Sequence, residues 1–416
     1  LHVVGIEGAG MSAYAIVCRS LGASVTGSDQ AESPYLEPVR AAAVDVAIGH
    51  DAANVPAGDD VEVVVSTAIP ASNPEVAAAR ERGLRVLSRA DLLAELTRQK
   101  KTIAVAGAHG KTTTSSMVAH ALLGCGLDPA YVIGGTLSTT GTNAAWGSGD
   151  WLVVEADESD RSFLALDVDV AVVTNVELDH HTEWASLGEL EGAFRRFLAG
   201  APVAVLPAEL LPLRGDGRTE LFADWEGPEL AVPGEHNRRN AAAALEAAVL
   251  AGAERARAAA ELATFRGAGR RFERLGTTTS GAVVVDDYAH HPTEVAATIA
   301  AARELGYARV VAVFQPHLYS RTQHLYTDFG RALSAADLVG VLDVYPARER
   351  AEDFPGVTGR LIAEAVEGQE ALWLPDFDAA ERALAEELRA GDLLLVLGAG
   401  DVDALGRRLV AEPNRS

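Results

Sequence analysis

A glycine-rich turn that ends in a lysine and three threonines is the part of this sequence with the clearest chemistry. Residues 107–114 are Gly107, Ala108, His109, Gly110, Lys111, Thr112, Thr113 and Thr114. An apolar strand pattern precedes the turn and a helical pattern follows it, so backbone N–H groups and the helix dipole would meet phosphate oxygens. Lys111 would reach the β- and γ-phosphates of a nucleotide, and Thr112 would bring its hydroxyl to Mg²⁺. The first glycine comes later than in the usual phosphate loop, because Val105 stands at its position.

An acidic cluster follows another apolar run. Residues 151–160 read W-L-V-V-E-A-D-E-S-D. Carboxylates at the carboxyl end of a buried strand suit Mg²⁺, which prefers hard oxygen ligands. Such a cluster by itself is more often a solvated loop. Beside a phosphate loop, Glu155 becomes the better candidate for a metal ligand.

A third polar run, T-N-V-E-L-D-H-H at residues 174–181, also follows a strand pattern. It therefore belongs at the same edge of the sheet as the other two. His180 could ligate a second Mg²⁺ there. Imidazole is an unusual ligand for this hard ion, so a hydrogen bond within the loop is the alternative for His180.

Composition excludes several classes of protein. The chain has 416 residues, of which 48% are hydrophobic and 23% are charged, values typical of packed globular domains. Its net charge of −24 argues against binding to nucleic acid. No apolar run reaches the roughly 18 residues of a membrane helix, so we expect no membrane insertion. Cys18 and Cys125 have apolar neighbours, which favours reduced core residues and a cytoplasmic location.

The pattern of short Val-rich runs separated by Ala-, Leu- and Arg-rich stretches predicts an α/β protein built from βαβ units. The predicted strands include residues 61–66, 102–106, 151–155, 168–174, 282–286, 310–314 and 393–397. Being apolar on both faces, they suit parallel sheets covered by helices. Few strand signals occur between residues 206 and 222, which indicates a trimmed edge of the central sheet.

Length and linkers predict more than one domain. The polar segment 97–101 and the Gly/Arg segment 267–271 precede new strands. We therefore expect domains at residues 1–98, 99–268 and 269–416. Nothing like a signal peptide precedes the first strand pattern, which begins at Leu1. Because no residues lead into this strand, we expect the sequence to start inside a longer natural chain.

The three motifs described above, together with G-E-H-N-R-R-N at residues 234–240, resemble the Mur ligase family of ATP-dependent amide-forming enzymes. Later runs extend the resemblance over nearly the whole chain. They are R-R-F-E at 270–273, D-D-Y-A-H-H-P-T-E at 286–294, F-Q-P-H-L-Y-S-R-T at 314–322 and D-V-Y-P-A-R-E at 343–349. These later runs are most similar to the members that join L-alanine to UDP-N-acetylmuramate.

The resemblance implies three α/β domains: a Rossmann-like first domain for the UDP-sugar, a central phosphate-loop ATPase-type domain for ATP and Mg²⁺, and a Rossmann-like third domain for the amino acid. It implies catalytic roles for Lys111, Glu155, His180, His291 and Arg321. The implied metal ligands are Thr112, Glu155 and His180. The implied ATP contacts are residues 107–113 with His236, Asn237, Asn240 and Arg271. The implied UDP-sugar contacts are Gly8, Gly10, Met11, Ser12, Asp29 and Ser66, and the amino-acid contacts are Tyr288, His290, His291 and Arg321.

Two residues depart from the family pattern, and other functions stay open. Glu7 stands in the first glycine turn where these ligases usually carry glycine, and Leu318 stands where some members have arginine. A related ligase that attaches a whole tripeptide to the same sugar is one alternative. A nicotinamide-dependent oxidoreductase is another, although Glu7 also breaks the G-x-G-x-x-G spacing. A nucleotide-binding regulatory module is a third, and it would predict missing metal ligands.

Overall fold

A computed structural model describes the chain except for residues 33–35, 67–68, 179–182 and 411–416. The described residues form two compact units. One consists of Leu1–Glu229 and Arg239–Phe265, and the other of Leu230–Arg238 and Arg266–Ser416. The first unit contains two β-sheets and the second contains one.

The first sheet has five strands, all parallel. They are β1 His2–Val4, β2 Thr26–Asp29, β3 Asp45–Ile48, β4 Glu62–Val65 and β5 Arg85–Ser88. The helices between them are α1 Ala9–Ser20, α2 Leu36–Ala41, α3 Pro74–Glu81 and α4 Arg89–Thr97. The spatial order β3-β2-β1-β4-β5 places the first glycine turn at the centre of the sheet, where β1 ends. This is the Rossmann-like arrangement expected from the sequence.

The second sheet has seven strands in the order β12-β11-β10-β6-β9-β7-β8. They are β6 Lys101–Ala106, β7 Ala130–Leu137, β8 Thr142–Ala145, β9 Trp151–Glu155, β10 Val170–Val173, β11 Val203–Pro207 and β12 Arg218–Phe222. The helices are α5 Lys111–Gly124, α6 Leu187–Gly200, α7 Leu211–Arg214, α8 Glu235–Leu250, whose first residues belong to the second unit, and α9 Arg255–Ala263. Only the β7–β8 pair is antiparallel among the described strands.

The third sheet has six strands in the order β13-β14-β18-β15-β16-β17. They are β13 Glu273–Thr277, β14 Val283–Asp287, β15 Arg309–Phe314, β16 Leu338–Leu342, β17 Leu372–Leu374 and β18 Asp392–Leu397. The helices are α10 Pro292–Glu304, α11 Tyr319–Leu333, α12 Gly359–Glu364, α13 Phe377–Glu387 and α14 Asp403–Leu409. The β13–β14 pair is antiparallel and the other described pairs are parallel.

Burial of apolar residues on both faces explains the parallel strands. Every residue of β10 and of β18 is buried, as expected for strands with helices on either side. All seven strands predicted from the sequence are present, each ending within two residues of its predicted bounds. The segment 206–222 adds the edge strand β12, most of which is only half-buried or exposed.

The two sheets of the first unit share one hydrophobic core. Helix α1 packs against the β7–β8 hairpin, and Met11 and Tyr14 of this helix belong to the same buried cluster as Val132 and Ala144 of the hairpin. The turn before α1 is therefore tied to the sheet that carries the phosphate loop.

A buried carboxylate stabilises the first sheet. Glu75 accepts hydrogen bonds from Ser28 Oγ at 2.6 Å and Asn54 Nδ2 at 3.0 Å, and it lies 2.8 Å from His2 Nε2 and 3.1 Å from His50 Nδ1. Burial by itself would raise the pKa of Glu75, but these hydrogen bonds outweigh burial and lower it to about 2. The network joins strands and loops that are far apart in sequence.

The two cysteines are not paired with each other, and no helix in the described part of the chain is a candidate membrane span. Cys18 is buried and Cys125 is half-buried, and both are free thiols. Burial raises the pKa of Cys18 to about 11, so it is an unreactive core residue. Among the residues that the structure describes, no helix is both long and apolar enough to cross a membrane.

Candidate active site

The phosphate loop has the conformation that its glycines allow. Helix α5 begins at Lys111, and its N-cap Gly110 has a left-handed backbone with φ 80°. A Cβ atom on Gly110 would come within 2.6 Å of Asn240 Oδ1, so the close approach of Asn240 requires glycine. Gly107 also has a positive φ, of 137°. The loop therefore aims the first N–H groups of α5 at the edge of the sheet, where a phosphate group would lie.

The loop is held by the strand end next to it. Thr174 Oγ1 donates a hydrogen bond of 2.6 Å to the carbonyl of His109. Asn175 donates from Nδ2 to the same carbonyl at 2.9 Å and accepts from His109 N at 3.0 Å. His109 Nε2 lies 3.2 Å from a carboxylate oxygen of Glu177. From the sequence, only His180 of this motif was predicted to be functional, and the contacts of Thr174, Asn175 and Glu177 were not. His180 itself lies outside the described residues.

Lys111 lies among carboxylates at the start of α5. Its Nζ donates to the carbonyl of Gly107 at 2.8 Å and to Glu158 Oε2 at 3.0 Å. Burial by itself would lower the pKa of Lys111, but the charges of Glu158 and Asp157 outweigh it and the pKa is raised. Lys111 is therefore a fixed positive charge in the loop.

Glu155 ends β9 beside the same helix. Its Oε1 accepts a hydrogen bond of 2.8 Å from the backbone N–H of Gly134 and one of 3.4 Å from Ser115 Oγ. Ser115 lies three positions after Thr112, so the two share a face of α5. Thr112 is buried and Thr113 is half-buried. A threonine hydroxyl and a carboxylate are the hard oxygen donors that Mg²⁺ takes, so Thr112 and Glu155 fit that ion.

The first glycine turn precedes α1. Gly8 is the N-cap of α1 and makes no side-chain cap, which leaves the N–H groups of the first turn for a ligand. Met11 and Ser12 are buried within the helix. Gly5 has φ 82°, and a Cβ atom placed on it would lie 3.1 Å from Cβ of Ser66. The turn and Ser66 therefore lie at one edge of the first sheet.

Acidic residues surround this turn. Asp29 Oδ2 accepts a hydrogen bond of 2.8 Å from the backbone N–H of Glu7. Burial, and then the charges of Asp29 and Glu32, raise the pKa of Glu7. An anionic ligand at Gly8 and Gly10 would need a nearby cation to offset these carboxylates.

The G-E-H-N-R-R-N motif is divided between the two units. Asn240 belongs to the first unit, where it lies against Gly110. His236 and Asn237 belong to the second unit. Asn237 Nδ2 donates to the carbonyl of Pro233 at 2.7 Å, and burial lowers the pKa of His236. Asn240 is thus the member of the motif that the structure brings to the phosphate loop.

In the second unit, cationic and aromatic residues meet where β14 ends. The guanidinium of Arg271 lies 5.0 Å from the ring centroid of Tyr288 and 3.8 Å from Glu294. The rings of Tyr288 and His290 meet edge to face at 5.4 Å, and His290 Nδ1 lies 3.3 Å from Glu294. Three of the predicted residues, Arg271, Tyr288 and His290, therefore lie in one cluster.

His291 has a structural contact as well as its proposed catalytic role. It is the N-cap of α10, and its Nδ1 accepts a hydrogen bond of 3.4 Å from the backbone N–H of Thr293. The neighbouring Asp287 is buried and accepts from the backbone N–H groups of Phe272 at 2.7 Å and Ala289 at 2.9 Å. Both side chains thus hold the turn between β14 and α10.

Arg321 is buried on α11, near two residues that were not singled out as contacts from the sequence. Its Nη1 lies 3.5 Å from His317 Nδ1. The ring of His317 stacks on that of Tyr345 at 5.7 Å and lies 6.3 Å from His290. His317 and Tyr345 therefore continue the row of rings from Tyr288 and His290 to Arg321.

Leu318 has a strained backbone next to this row. Its φ is 72°, although leucine carries a Cβ atom that disfavours positive φ. The backbone N–H of Leu318 donates to the carbonyl of Tyr345 at 2.9 Å, and Tyr345 N donates to Pro316 O at 2.8 Å. These paired bonds hold the loop before α11 in its strained form.

Comparisons with known proteins agree with this arrangement. Residues 1–101 match the Mur ligase family catalytic domain, residues 105–211 match the Mur ligase middle domain, and residues 270–400 match the Mur ligase glutamate ligase domain. A UDP-N-acetylmuramate–L-alanine ligase of Acidithiobacillus ferrooxidans is 46% identical, and the alignment covers 97% of this chain and 96% of the relative. The chain belongs to the Mur ligase family. The family resemblance seen in the sequence is thereby confirmed.

Solved structures of Mur ligases have the same fold. The UDP-N-acetylmuramate–alanine ligase of Thermotoga maritima superposes with a TM-score of 0.81 at 29% identity, covering 98% of this chain and 97% of that one. A murein peptide ligase of Psychrobacter arcticus gives a TM-score of 0.71 at 25% identity, covering 98% and 97%. The three-domain α/β architecture predicted from the sequence is that of the Mur ligases.

Proposed function

We propose that this Mur ligase joins L-alanine to the carboxylate of UDP-N-acetylmuramate in peptidoglycan precursor synthesis and converts ATP to ADP and phosphate. The observation that carries the proposal is the 46% identity to a relative of that name over 97% of the chain. The phosphate loop with Lys111 and Glu155 supplies the matching chemistry. The two free thiols suit a reducing compartment, and we place the reaction in the cytoplasm.

The reaction has two steps. A carboxylate oxygen of the muramyl group attacks the γ-phosphorus of ATP, the bond to ADP breaks, and an acyl phosphate forms. The amine of alanine, having lost a proton, then attacks the acyl carbon, and phosphate leaves. Lys111 and the N–H groups at the start of α5 would hold the phosphate oxygens, because these positions are fixed before the substrate binds.

Thr112 and Glu155 would hold Mg²⁺, with His180 as the third proposed ligand. When bound, Mg²⁺ supplies positive charge that reduces the repulsion between the carboxylate and the triphosphate. In the second unit, Arg321 would bind the carboxylate of alanine, and His291 would receive the proton of its ammonium group. Tyr288 and His290 would line this amino-acid site, and Arg271 would contact the phosphates.

Replacing Glu155 with alanine is expected to raise the Mg²⁺ concentration for half-maximal activity by at least about tenfold, because a charged oxygen ligand is lost. The measurement is a magnesium titration of ADP release at saturating ATP. Asp150→Ala is the matched control, because Asp150 is an exposed carboxylate that directly precedes the first residue of β9, whereas Glu155 is its last residue. If the magnesium titration curve of Glu155→Ala is unchanged, Glu155 is not a metal ligand and the acidic cluster is an ordinary solvated loop.

An ADP-release assay with UDP-N-acetylmuramate tests the function itself, with L-alanine, glycine, L-serine and the tripeptide as acceptors. L-alanine is expected to give the highest kcat/KM. Glycine is expected to be slower by about 10- to 200-fold, because one methyl group in a small pocket is worth about 1 to 3 kcal/mol. Faster turnover with the tripeptide would instead identify the chain as the related ligase that attaches a whole tripeptide to the same sugar. Absence of ADP release with every acceptor would reject the ligase proposal.

A further inference from the structure

Arg89 lies between the first glycine turn and the acidic loop of the phosphate site. It is the first residue of α4, directly after the N-cap Ser88. A capping box fixes this helix start, because Ser88 Oγ accepts from the backbone N–H of Asp91 while Asp91 accepts from the backbone N–H of Ser88. The guanidinium of Arg89 is therefore carried on a rigid helix end, with its side chain 35% exposed.

On one side, Arg89 lies beside Gly10, close to the turn proposed for the UDP-sugar. A Cβ atom placed on Gly10 would lie 3.5 Å from Nη1 of Arg89 and 3.7 Å from its Cδ. Gly10 is in the first turn of α1, whose N-cap Gly8 makes no side-chain cap. The guanidinium thus lies beside N–H groups that would face the diphosphate.

On the other side, Arg89 lies near the loop after β9. Its Nη2 is 3.6 Å from Asp157 Oδ2 and 3.8 Å from Asp160 Oδ2. The same loop carries Glu158, which binds Lys111 of the phosphate loop at 3.0 Å. One side chain therefore lies near the proposed sites of both nucleotide substrates.

Three carboxylates, those of Glu7, Asp29 and Glu32, lie near the first turn, so an anionic ligand there needs a neighbouring cation. Asp29 and Glu32 lie near enough to raise the pKa of Glu7, beyond the effect of its burial. A diphosphate entering beside three carboxylates would be repelled unless a positive charge accompanied it. The guanidinium beside Gly10 supplies that charge, and its planar fork suits phosphate oxygens.

We propose that Arg89 binds the diphosphate of the UDP-sugar at the start of α1 and, through Asp157 and Asp160, couples this binding to the ATP site. The coupling follows because Arg89 pairs with two carboxylates of the loop that begins after Glu155 and carries Glu158, the partner of Lys111. Binding of either substrate then orders contacts that the other uses. This inference rests on the proposed UDP-sugar specificity.

The test is calorimetric titration of the full chain with UDP-N-acetylmuramate, in the presence and absence of a non-hydrolysable ATP analogue with Mg²⁺. For the unaltered chain, the sugar nucleotide is expected to bind more tightly when the analogue is present, by about fivefold or more. Arg89→Ala is expected to weaken binding by about 10- to 100-fold and to bring the coupling factor close to one. Arg89→Lys keeps the charge without the fork and is expected to give intermediate affinity.

Arg85→Ala is the matched control, because Arg85 lies on β5 of the same sheet and pairs instead with Glu62 and Glu95. Its affinity and coupling factor are expected to equal those of the unaltered chain. The single variant Asp157→Asn and the double variant Asp157→Asn with Arg89→Ala complete a double-mutant cycle. The double variant is expected to lose less coupling free energy than the sum of the losses in the two single variants.

An unchanged affinity or an unchanged coupling factor in Arg89→Ala would overturn the proposal, provided that its thermal melting curve matches that of the unaltered chain. If Arg89→Ala has a lower melting temperature than the unaltered chain, Arg89→Lys is used as the test instead. The proposal is overturned if Arg89→Lys has the same affinity for UDP-N-acetylmuramate and the same coupling factor as the unaltered chain. Failure of the unaltered chain to bind or turn over UDP-N-acetylmuramate would instead reject the proposed function.

Discussion

Replacing Lys111 with alanine is expected to lower kcat for ADP formation by about 10³-fold or more while the fold is retained. The lysine supplies a fixed positive charge where negative charge moves during phosphoryl transfer, and such electrostatic contacts are among the largest contributions to rate. Although burial by itself would lower the pKa of Lys111, the charges of Glu158 and Asp157 raise it, so this positive charge is kept at neutral pH. The measurement is steady-state ADP release at saturating concentrations of all substrates, with circular dichroism to check the fold.

The control for this variant is Lys101→Ala. Lys101 is exposed at the start of the strand that leads into the phosphate loop, and its Nζ lies 5.7 Å from the ring centroid of Trp151. Its removal changes the net charge equally but leaves the loop alone, so kcat is expected to stay within about twofold of the unaltered chain. If kcat of Lys111→Ala equals that of the unaltered chain, the proposal that this loop binds ATP is wrong.

The strands and the phosphate loop were predictable because their signals are local. A buried parallel strand needs apolar residues on both faces, as β9 has, and a helix that binds phosphate needs glycine before its first turn, as at Gly110. The edge strand β12 was not predicted, because Arg218–Phe222 carries charged residues that a central strand could not bury.

Contacts between distant segments were not predictable from spacing alone. Asn175 holds the backbone of His109 although the two are 66 residues apart, and no local pattern marks this pairing. The Arg89 contacts have the same character, since a basic residue at a helix start indicates only a surface charge. Family resemblance supplied the roles of single residues, whereas the structure supplied the partners that hold them.

His291 shows where residue type alone leaves two readings open. The motif H-H-P suggested both a proton acceptor and a structural corner, and the ring of His291 does cap α10. A histidine that accepts a hydrogen bond through Nδ1 can still use Nε2 toward a ligand, so the cap orients the ring without excluding the catalytic proposal. Its catalytic role therefore stays a prediction.

Arg321→Ala is expected to raise the KM for alanine by about 10- to 100-fold and the KM for ATP by less than about threefold. A carboxylate bound by a buried guanidinium makes charge-assisted hydrogen bonds worth about 1.5 to 3 kcal/mol, and alanine has few other groups by which to be held. The measurement is steady-state ADP release with each substrate varied in turn.

Two further variants separate this role from a structural one. Arg331→Ala removes an exposed arginine, paired with Asp328, from the same helix α11, and is expected to leave both KM values unchanged. Arg321→Lys keeps the positive charge beside His317 but loses the planar fork, so its KM for alanine is expected to lie between those of Arg321→Ala and the unaltered chain. Equal increases in the two KM values would assign Arg321 to the phosphates or to the fold. An increase confined to alanine would support Arg321 as the group that binds the alanine carboxylate, at the end of the row of rings formed by Tyr288, His290, His317 and Tyr345.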